Sequence, residues 1–284
     1  MKVIFENGEN YNIKTEDIVK VIKFNDESIK VKSTSRRPQN LNNYRKISKD
    51  EYVDITTGEV RRYKKRKYKD KESIRRATSN LKEILRNNFN GGKNELFITL
   101  TCEELTEDYD VARKFCDNFF KDLRNKYEGL EYVYVLELQK RKSWHIHAWI
   151  KSTKRKILYI DNEEIAKIWN KGFAKTQRIT KEEFGDKDTA ETDVVDIVIN
   201  YMTKIKSKDR IETNKKLYYK SRGIKLAKVD KMKYKQFVDT VELDYILEEE
   251  KTLLVKSVDG SIISKHKTEV WKQIKKGDKQ YEEE

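Results

Sequence analysis

The apolar residues between positions 95 and 150 follow strand-like spacing at both ends and helical spacing between them. The run ELFITLT at 95–101 predicts a buried strand. The segments 131–139 and 144–150 alternate with a period of two, which predicts two neighbouring strands joined by the charged turn 140–143. Between the first strand and this pair, apolar residues at helical spacing predict a helix through Val111, Phe115, Phe119 and Leu123.

The pattern after residue 150 completes an α+β domain. Its further elements are expected to be a helix that begins at Asp161 and Glu164 and stops at Gly172, a strand near 175–180, a helix over 192–207 and a strand over 216–220. The order strand, helix, strand, strand, helix, strand, helix suits a central antiparallel sheet on which helices pack. The sheet is then the platform for any chemistry.

The pattern is weaker on both sides of this domain. Two short β-like runs at 18–24 and 29–32 precede an amphipathic helix whose apolar positions run from Ile74 to Phe89, before a glycine pair. A hairpin turn is predicted at Asp259-Gly260. We therefore expect three parts: a basic N-terminal appendage with the amphipathic helix at 1–92, the central domain at 93–228, and a C-terminal appendage of unknown role at 229–284.

The charge of the chain indicates a polyanionic partner. Its 284 residues include 63 Lys plus Arg against 49 Asp plus Glu, a net charge of +14, so the long-range field favours nucleic acid. A lysine-rich, well-solvated surface is the alternative that composition alone leaves open. The basic run at 61–71 either contacts phosphates or forms a solvated helix start; its candidate DNA-binding residues are Arg61, Arg62, Lys64, Lys65 and Arg66.

No feature of the sequence indicates a membrane or an oxidising compartment. The longest apolar runs fall far short of the roughly 20 residues that a spanning helix needs, and the first residues lack the apolar stretch of a secretory signal. Cys102 and Cys116 form neither a CxxC motif nor a disulfide framework, so we expect them to pack as free thiols. A cytoplasmic protein without membrane contact is the expectation.

Two of the three histidines, His145 and His147, lie one residue apart on a predicted strand. Because strand side chains alternate between faces, both imidazoles project from one side, while Trp144, Ile146 and Ala148 pack on the other. Two neighbouring nitrogen ligands for a metal result. Half-buried histidines satisfied by hydrogen bonds are the structural alternative.

Glu137 strengthens the case for a metal site. It shares one face of the preceding strand with Val133, Val135 and Gln139, and a short turn would bring that face beside the histidines. A carboxylate in such an apolar alternation is costly unless it is paired or holds a metal. Two imidazoles and a carboxylate leave positions open for water and a phosphate oxygen, which suits Mn²⁺ or Mg²⁺. An exposed edge strand is the alternative.

Tyr201 lies on the predicted helix VVDIVINYMTKIKSK. Val194, Val198, Tyr201 and Ile205 fall on one stripe, so the phenol is expected to face the sheet and not solvent. Lys204 follows one turn later and Lys208 a further turn on. Nearby cations could make a phenol with an ordinary pKa near 10 a competent nucleophile. Considered without the other motifs, Tyr201 would be interpreted as an aromatic residue of the core.

Three segments together resemble the ordered motifs of rolling-circle replication initiators in the HUH endonuclease superfamily. They are FITLT at 97–101, ELQKRKSWHIHAWI at 137–150 and INYMTKI at 199–205. Segments at 169–173 and 216–225 are also similar to replication initiation proteins of small Gram-positive plasmids and phages. The resemblance covers roughly 96–225, and it implies a ferredoxin-like or RRM-like sheet domain.

The resemblance implies a role for each matching residue. His145, His147 and Glu137 match the metal ligands, Tyr201 the nicking tyrosine and Lys204 its companion. Thr99 and Thr101 match the strand motif, which is structural or helps to bind DNA; Lys208 and Arg222 are further DNA-binding candidates. The family reaction is a transesterification that gives a 5′-phosphotyrosyl enzyme and a free 3′-hydroxyl primer at a single-stranded or hairpin origin.

The chain also departs from some relatives. Its third motif has a single tyrosine, so closing the circle would need a second protomer, as in a homodimer, or another nucleophile. It has no GxxxxGK[ST] phosphate loop, so a host helicase is implied besides the host polymerase. A conjugative relaxase, a single-tyrosine transposase, a metal phosphoesterase that uses water and a non-enzymatic RNA-binding sheet are the competing functions.

Overall fold

The computed structural model describes residues 3–8, 12–25, 28–34, 44–64, 67–104, 107–139, 143–185, 193–204, 212–241, 244–257 and 259–274. The fold is α+β, as predicted, with antiparallel sheets and helices. The chain divides into two compact units. We call Arg66–Leu226 the central unit, and Met1–Lys65 together with Ala227–Glu284 the flanking unit.

The central unit contains a βαββαβ succession followed by further elements. Its elements in chain order are α1 (Lys71–Asn88), β7 (Glu95–Thr101), α2 (Tyr109–Lys126), β8 (Leu130–Leu138), β9 (Trp144–Ser152), α3 (Asn162–Trp169), β10 (Ala174–Gln177), α4 (Lys181–Phe184), α5 (Val194–Thr203) and β11 (Tyr218–Lys220). The predicted order of strands and helices is confirmed, with the short helix α4 added.

These strands form one antiparallel sheet with the order β10-β7-β9-β8-β11. Strands β7 and β8 are joined through α2 and run parallel, with β9 inserted between them, which is the split βαβ arrangement of ferredoxin-like domains. Strand β9 therefore lies at the centre of the sheet, and it carries both histidines.

Both faces of the sheet are covered. Helices α2 and α3 pack on one face through residues such as Phe120 and Trp169. Helices α1 and α5 pack on the other through Leu85 and Val198, against Trp149 of the sheet. The buried side of α2 is rotated from the predicted stripe: Val111 is exposed, and the buried residues of the helix are Ala112, Cys116, Phe119, Phe120 and Leu123. Both cysteines are free and buried, as predicted.

The start of β7 is fixed by a buried carboxylate. Glu95 accepts hydrogen bonds from the backbone N–H of Asn90 and of Gly91 at 3.0 Å each and from Trp149 Nε1 at 2.9 Å. Burial raises the pKa of the Glu95 carboxyl, although these donors and Lys151 partly offset the effect. The contact joins the glycine turn after α1 to the central strands.

We expect Glu95→Gln to lower the free energy of unfolding by about 1–3 kcal/mol at neutral pH, because an amide cannot accept from all three donors. Because the pKa of Glu95 is raised by folding, the wild-type carboxyl binds its proton more strongly in the folded state than in the unfolded state. The stability of the wild type relative to the variant should therefore fall as the pH rises from about 4 through the raised pKa. Urea unfolding across this range measures both effects, and an unchanged or rising difference would contradict the assignment.

The flanking unit is built from both ends of the chain. Strands β1 (Val3–Asn7), β2 (Ile18–Lys23), β3 (Ile29–Thr34), β12 (Lys228–Lys233), β13 (Tyr245–Ser257) and β14 (Ile262–Gln273) form a sheet of order β1-β13-β14-β3-β2-β12, with α6 (Tyr234–Val241) packed on it. A separate sheet consists of β4 (Tyr44–Lys46), β5 (Glu51–Asp54) and β6 (Val60–Arg62). The predicted strands near 18–24 and 29–32 and the turn at Asp259-Gly260 are present.

This division differs from the boundaries expected at residues 92 and 228. Helix α1 belongs to the central unit because its apolar side packs on that sheet. The two ends are not separate appendages, since β14 pairs with β3 and β12 pairs with β2. Among the described residues, no helix is long and apolar enough to cross a membrane.

Candidate active site

The antiparallel register of β8 and β9 brings the predicted ligands together. Glu137 pairs directly with His145, and Val135 pairs directly with His147. Directly paired residues point to the same face, so Glu137, His145 and His147 share the face on which α1 and α5 pack. The prediction of a common face is confirmed.

The three side chains lie close together without forming a closed set. The imidazole centroids of His145 and His147 are 4.5 Å apart, and His147 Nε2 lies 3.5 Å from Glu137 Oε2. Within the part of the chain that the structure describes, no group of three or more His, Cys, Asp or Glu side chains is arranged to hold a metal ion. Side-chain rotation would be needed to bring all three to one cation.

The chemistry of the donors nevertheless fits a divalent cation. His147 is buried, and among the described residues its Nδ1 has no hydrogen-bond partner. A buried polar atom without a partner is costly, and an imidazole of this kind is a common ligand. Together with the carboxylate of Glu137, these nitrogens make the mixed donor set that Mn²⁺ or Mg²⁺ accepts.

The strand motif supports the histidines from the other side. Thr101 pairs with His145 across β7 and β9, and Thr99 pairs with His147. Thr101 is buried, and its Oγ1 shares a hydrogen bond of 2.8 Å with His145 Nδ1. Such a bond fixes the orientation of the His145 ring. Of the two roles open to Thr101, the geometry favours the structural one.

Tyr201 lies over the same face of the sheet. Its ring centroid is 4.8 Å from that of His147 and 5.8 Å from that of Phe97, and Phe184 of α4 is 6.4 Å away. The prediction that Tyr201 is turned away from solvent is wrong, because the residue is 48% exposed. The buried residues of α5 are instead Val198, Ile199, Met202 and Thr203. The Tyr201 ring is therefore held by aromatic contacts and is also accessible to solvent.

Contacts with α1 hold the helix that carries Tyr201. Arg86 Nη2 donates to Asp196 Oδ1 at 2.5 Å, and Lys82 Nζ donates to Asn200 Oδ1 at 2.8 Å. The Asp193 carboxylate caps the helix by accepting from the Val195 N–H. The position of the tyrosine relative to the sheet thus depends on α1.

Helix α5 ends before the predicted boundary at 207. Its last residue is Thr203, and Lys204 is the C-cap with a non-helical ψ of 65°. The prediction that the helix continues through Lys204 is therefore wrong, although Lys204 is exposed and lines the same cavity as Tyr201. Ile205 and Lys208 lie outside the described residues.

A cavity of about 760 Å³ opens beside these residues. It follows the part of β8 beyond the pairing with β11, which covers only Val133–Val135. Its lining includes Glu137, His147, Tyr201 and Lys204. The cavity therefore holds two of the expected metal ligands and the expected nucleophile together.

The sequence did not reveal the other side of this cavity. Tyr109 and Trp144 meet edge to face at 5.4 Å, and Trp144 Nε1 donates to the Glu107 carbonyl. Lys215, which also lines the cavity, is paired with Asp110. The aromatic residues give this rim surfaces on which bases could stack. No local motif indicates it, because α2 and the segment before β11 are far apart in sequence.

The described residues of the basic DNA-binding candidates, Arg61, Arg62, Lys64 and Arg222, are not among the residues that line the cavity. In the flanking unit, Arg61 pairs with Glu59 and Asp54, and Arg62 pairs with Glu51. Lys64 is exposed, and Arg222 is exposed in a turn outside the cavity lining. Lys65 and Arg66 fall outside the described residues. Binding of DNA by these residues stays a prediction.

Comparison with known protein families gives a match to part of the chain. Residues 95–206 match the ORF2 family of replication-associated proteins. No curated protein matches the chain. The matched span contains the three motifs at 97–101, 137–150 and 199–205, whereas 216–225 lies beyond it. The resemblance to replication proteins drawn from these motifs is thereby confirmed for this span.

Proposed function

From the similarity of residues 95–206 to the ORF2 family of replication-associated proteins, we propose that the chain is a rolling-circle replication initiator. It nicks single-stranded DNA in a metal-dependent reaction, with Tyr201 as the nucleophile. The proposal is carried by one observation: the Tyr201 ring lies 4.8 Å from the His147 ring, over the face that also presents Glu137 and His145.

The reaction is an exchange of one phosphodiester for another. The Tyr201 oxygen forms a bond to the scissile phosphorus, the bond from phosphorus to the 3′ oxygen breaks, and that oxygen takes up a proton. The phenol proton leaves to solvent or a nearby base. The products are a 5′-phosphotyrosyl bond and a free 3′-hydroxyl, which can prime a host polymerase without further chemistry.

A divalent cation held by Glu137, His145 and His147 would supply charge stabilisation at the phosphate. The chain's own residues supply position and further charge. Phe97 and Phe184 flank the Tyr201 ring, which limits its rotation before attack. The ammonium group of Lys204, on the cavity wall, would favour the negative charge that develops at the phosphate.

The cavity favours a single strand as the substrate. Its aromatic rim, Tyr109 and Trp144, can stack unpaired bases, and Lys216 adds positive charge to its lining. Duplex bases are already stacked on one another and would not use such a surface. A host helicase would supply the single strand.

The function is tested with the full chain, Mn²⁺ and a hairpin oligonucleotide from the replicon labelled on either side of the cut. We expect the label 3′ of the cut to become protein-linked and the label 5′ of it to be extendable by a polymerase. Chelation of the metal should stop both. Cleavage without any protein-linked DNA would instead favour a metal phosphoesterase that uses water.

A further inference from the structure

A row of lysines crosses the six-stranded sheet of the flanking unit. Lys231 of β12 pairs directly with Lys20 of β2, and Lys20 pairs directly with Lys32 of β3. Lys32 pairs with Thr268 of β14, which pairs with Lys251 of β13. Since direct partners share a face, four lysines and one threonine form a single line over five strands, which we call the lysine row.

The lysine row lies on the face opposite the packed core. Val19, Val21 and Val31 alternate with Lys20 and Lys32 along their strands, and these valines are fully buried in the core beneath α6. The lysines therefore point to the other face. Lys231 and Lys251 are exposed, and Lys20 and Lys32 are partly exposed.

Such a row is unfavourable without an anionic partner. Neighbouring strands are about 4.8 Å apart, so the row places four ammonium groups along roughly 19 Å, and like charges directly opposite each other destabilise a sheet. Nearby lysines are neutralised: Lys233 pairs with Glu16, and Lys272 pairs with Glu248. Within the described ranges, no ion pair reaches Lys20, Lys231 or Lys251, whereas Lys32 has a further interaction of its own. The argument from missing partners therefore applies to those three lysines.

We infer that the lysine row binds the phosphate backbone of duplex DNA, as a contact separate from the cavity of the central unit. A line of cations matches the regular charge of a backbone. The pairing rows on either side of it contain no Phe, Tyr or Trp. On one side lie Val229, Ile22, Lys30, Val270 and Glu249, and on the other lie Lys233, Ile18, Thr34, His266 and Leu253. The stacking surface that single strands need is therefore missing from these rows.

The arrangement also predicts the kind of binding. Lysines that contact only phosphates position DNA without reading its sequence. Ile22 and Val270, which lie beside the lysine row, are buried aliphatic residues and offer no hydrogen bond to a base edge. Affinity for duplex should be non-specific and steeply dependent on salt. The inference does not rest on the proposed nicking reaction, because it concerns duplex binding alone.

The test compares two variants that lose the same charge, both carrying Tyr201→Phe so that DNA is not consumed. The row variant is Lys20→Gln, Lys32→Gln, Lys231→Gln and Lys251→Gln. The control variant changes four exposed lysines of the same unit that lie off the row: Lys14, Lys49, Lys228 and Lys235, each to Gln. Fluorescence anisotropy with a 20-base-pair duplex of unrelated sequence is measured from low to physiological salt.

We expect the duplex affinity of the row variant at low salt to be at least about tenfold lower than that of its parent. The slope of log K against log salt should become shallower by up to about 3.6, since each of four phosphate contacts contributes roughly 0.9. The control variant should keep the parental slope. Equal behaviour of the two variants would overturn the inference, as would a loss confined to single-stranded DNA. With Tyr201 restored, the row variant should nick a pre-melted oligonucleotide at the wild-type rate. Failure of the nicking proposal would remove only this control, because duplex binding is measured separately.

Repulsion within the lysine row gives an independent readout. The row variant should melt at a higher temperature than its parent at low salt, and the difference should shrink near 1 M salt, where the Debye length falls to about 3 Å. A lower melting temperature for a row variant that remains folded would contradict the repulsion on which the inference depends.

Discussion

Tyr201→Phe is expected to reduce nicking by roughly 10³-fold or more and to abolish the covalent DNA adduct, because it removes the oxygen that we propose as the nucleophile. The ring keeps its contacts with His147 and Phe97. Since Tyr201 is about half exposed, stability should change by less than about 1 kcal/mol. Single-turnover cleavage of a labelled oligonucleotide and thermal unfolding measure the two effects.

Tyr218→Phe is the matched control. Tyr218 is also a partly buried tyrosine of the central unit. It lies on β11 and pairs with Val135 of β8, and burial raises the pKa of its phenol. A phenol of this kind is a poorer nucleophile than an ordinary one at neutral pH. The control should nick at the wild-type rate. Loss of the adduct in Tyr218→Phe with its retention in Tyr201→Phe would reverse the assignment.

Glu137→Gln and His145→Ala are expected to weaken Mn²⁺ binding by at least about 10–100-fold, the range seen when even supporting groups around a metal are lost. Nicking should fall with metal affinity and recover partly at high Mn²⁺. Both side chains lie on the sheet face and not in a packed core, so the variants should fold. Calorimetric titration of Mn²⁺ without DNA separates metal binding from catalysis.

Substitutions at Thr101 provide the control for this second prediction. Thr101→Ser keeps the hydroxyl that bonds His145 Nδ1, whereas Thr101→Val removes it at nearly constant volume. Metal affinity should be lost in the valine variant and kept in the serine variant. If Glu137→Gln and His145→Ala bind Mn²⁺ as the wild type does, the metal lies elsewhere and the shared face has another purpose.

The local pattern of the sequence was sufficient for the site strands. Period-two alternation predicts that His145 and His147 share a face, and a short connection between 131–139 and 144–150 requires antiparallel pairing. The hydrophobic alternation on both strands then places Glu137 on the face of the histidines, whereas the direct pairing of Glu137 with His145 is known from the structure. The common face of the three candidate ligands could therefore be predicted without knowledge of the rest of the fold.

Features that depend on distant parts of the chain could not be predicted in this way. The pairing of β14 with β3 joins residues more than 230 positions apart, such as His266 and Thr34, and no local signal specifies it. The rim formed by Tyr109 and Trp144 arises only once α2 packs beside β9. Apolar periodicity also extended helix α5 past Thr203, because the pattern does not show where packing against α1 ceases.

The identity of the DNA-linked residue tests the central claim most directly. The wild-type chain, trapped with a nicked oligonucleotide and Mn²⁺, is digested with trypsin and nuclease and mapped by tandem mass spectrometry. Cleavage after Lys187 and Lys204 gives a peptide whose only tyrosine is Tyr201, whereas Tyr218 and Tyr219 fall together in 217–220. The account predicts nucleotide mass on Tyr201. Nucleotide on Tyr218 or Tyr219, or efficient cleavage with no modified peptide, would contradict it.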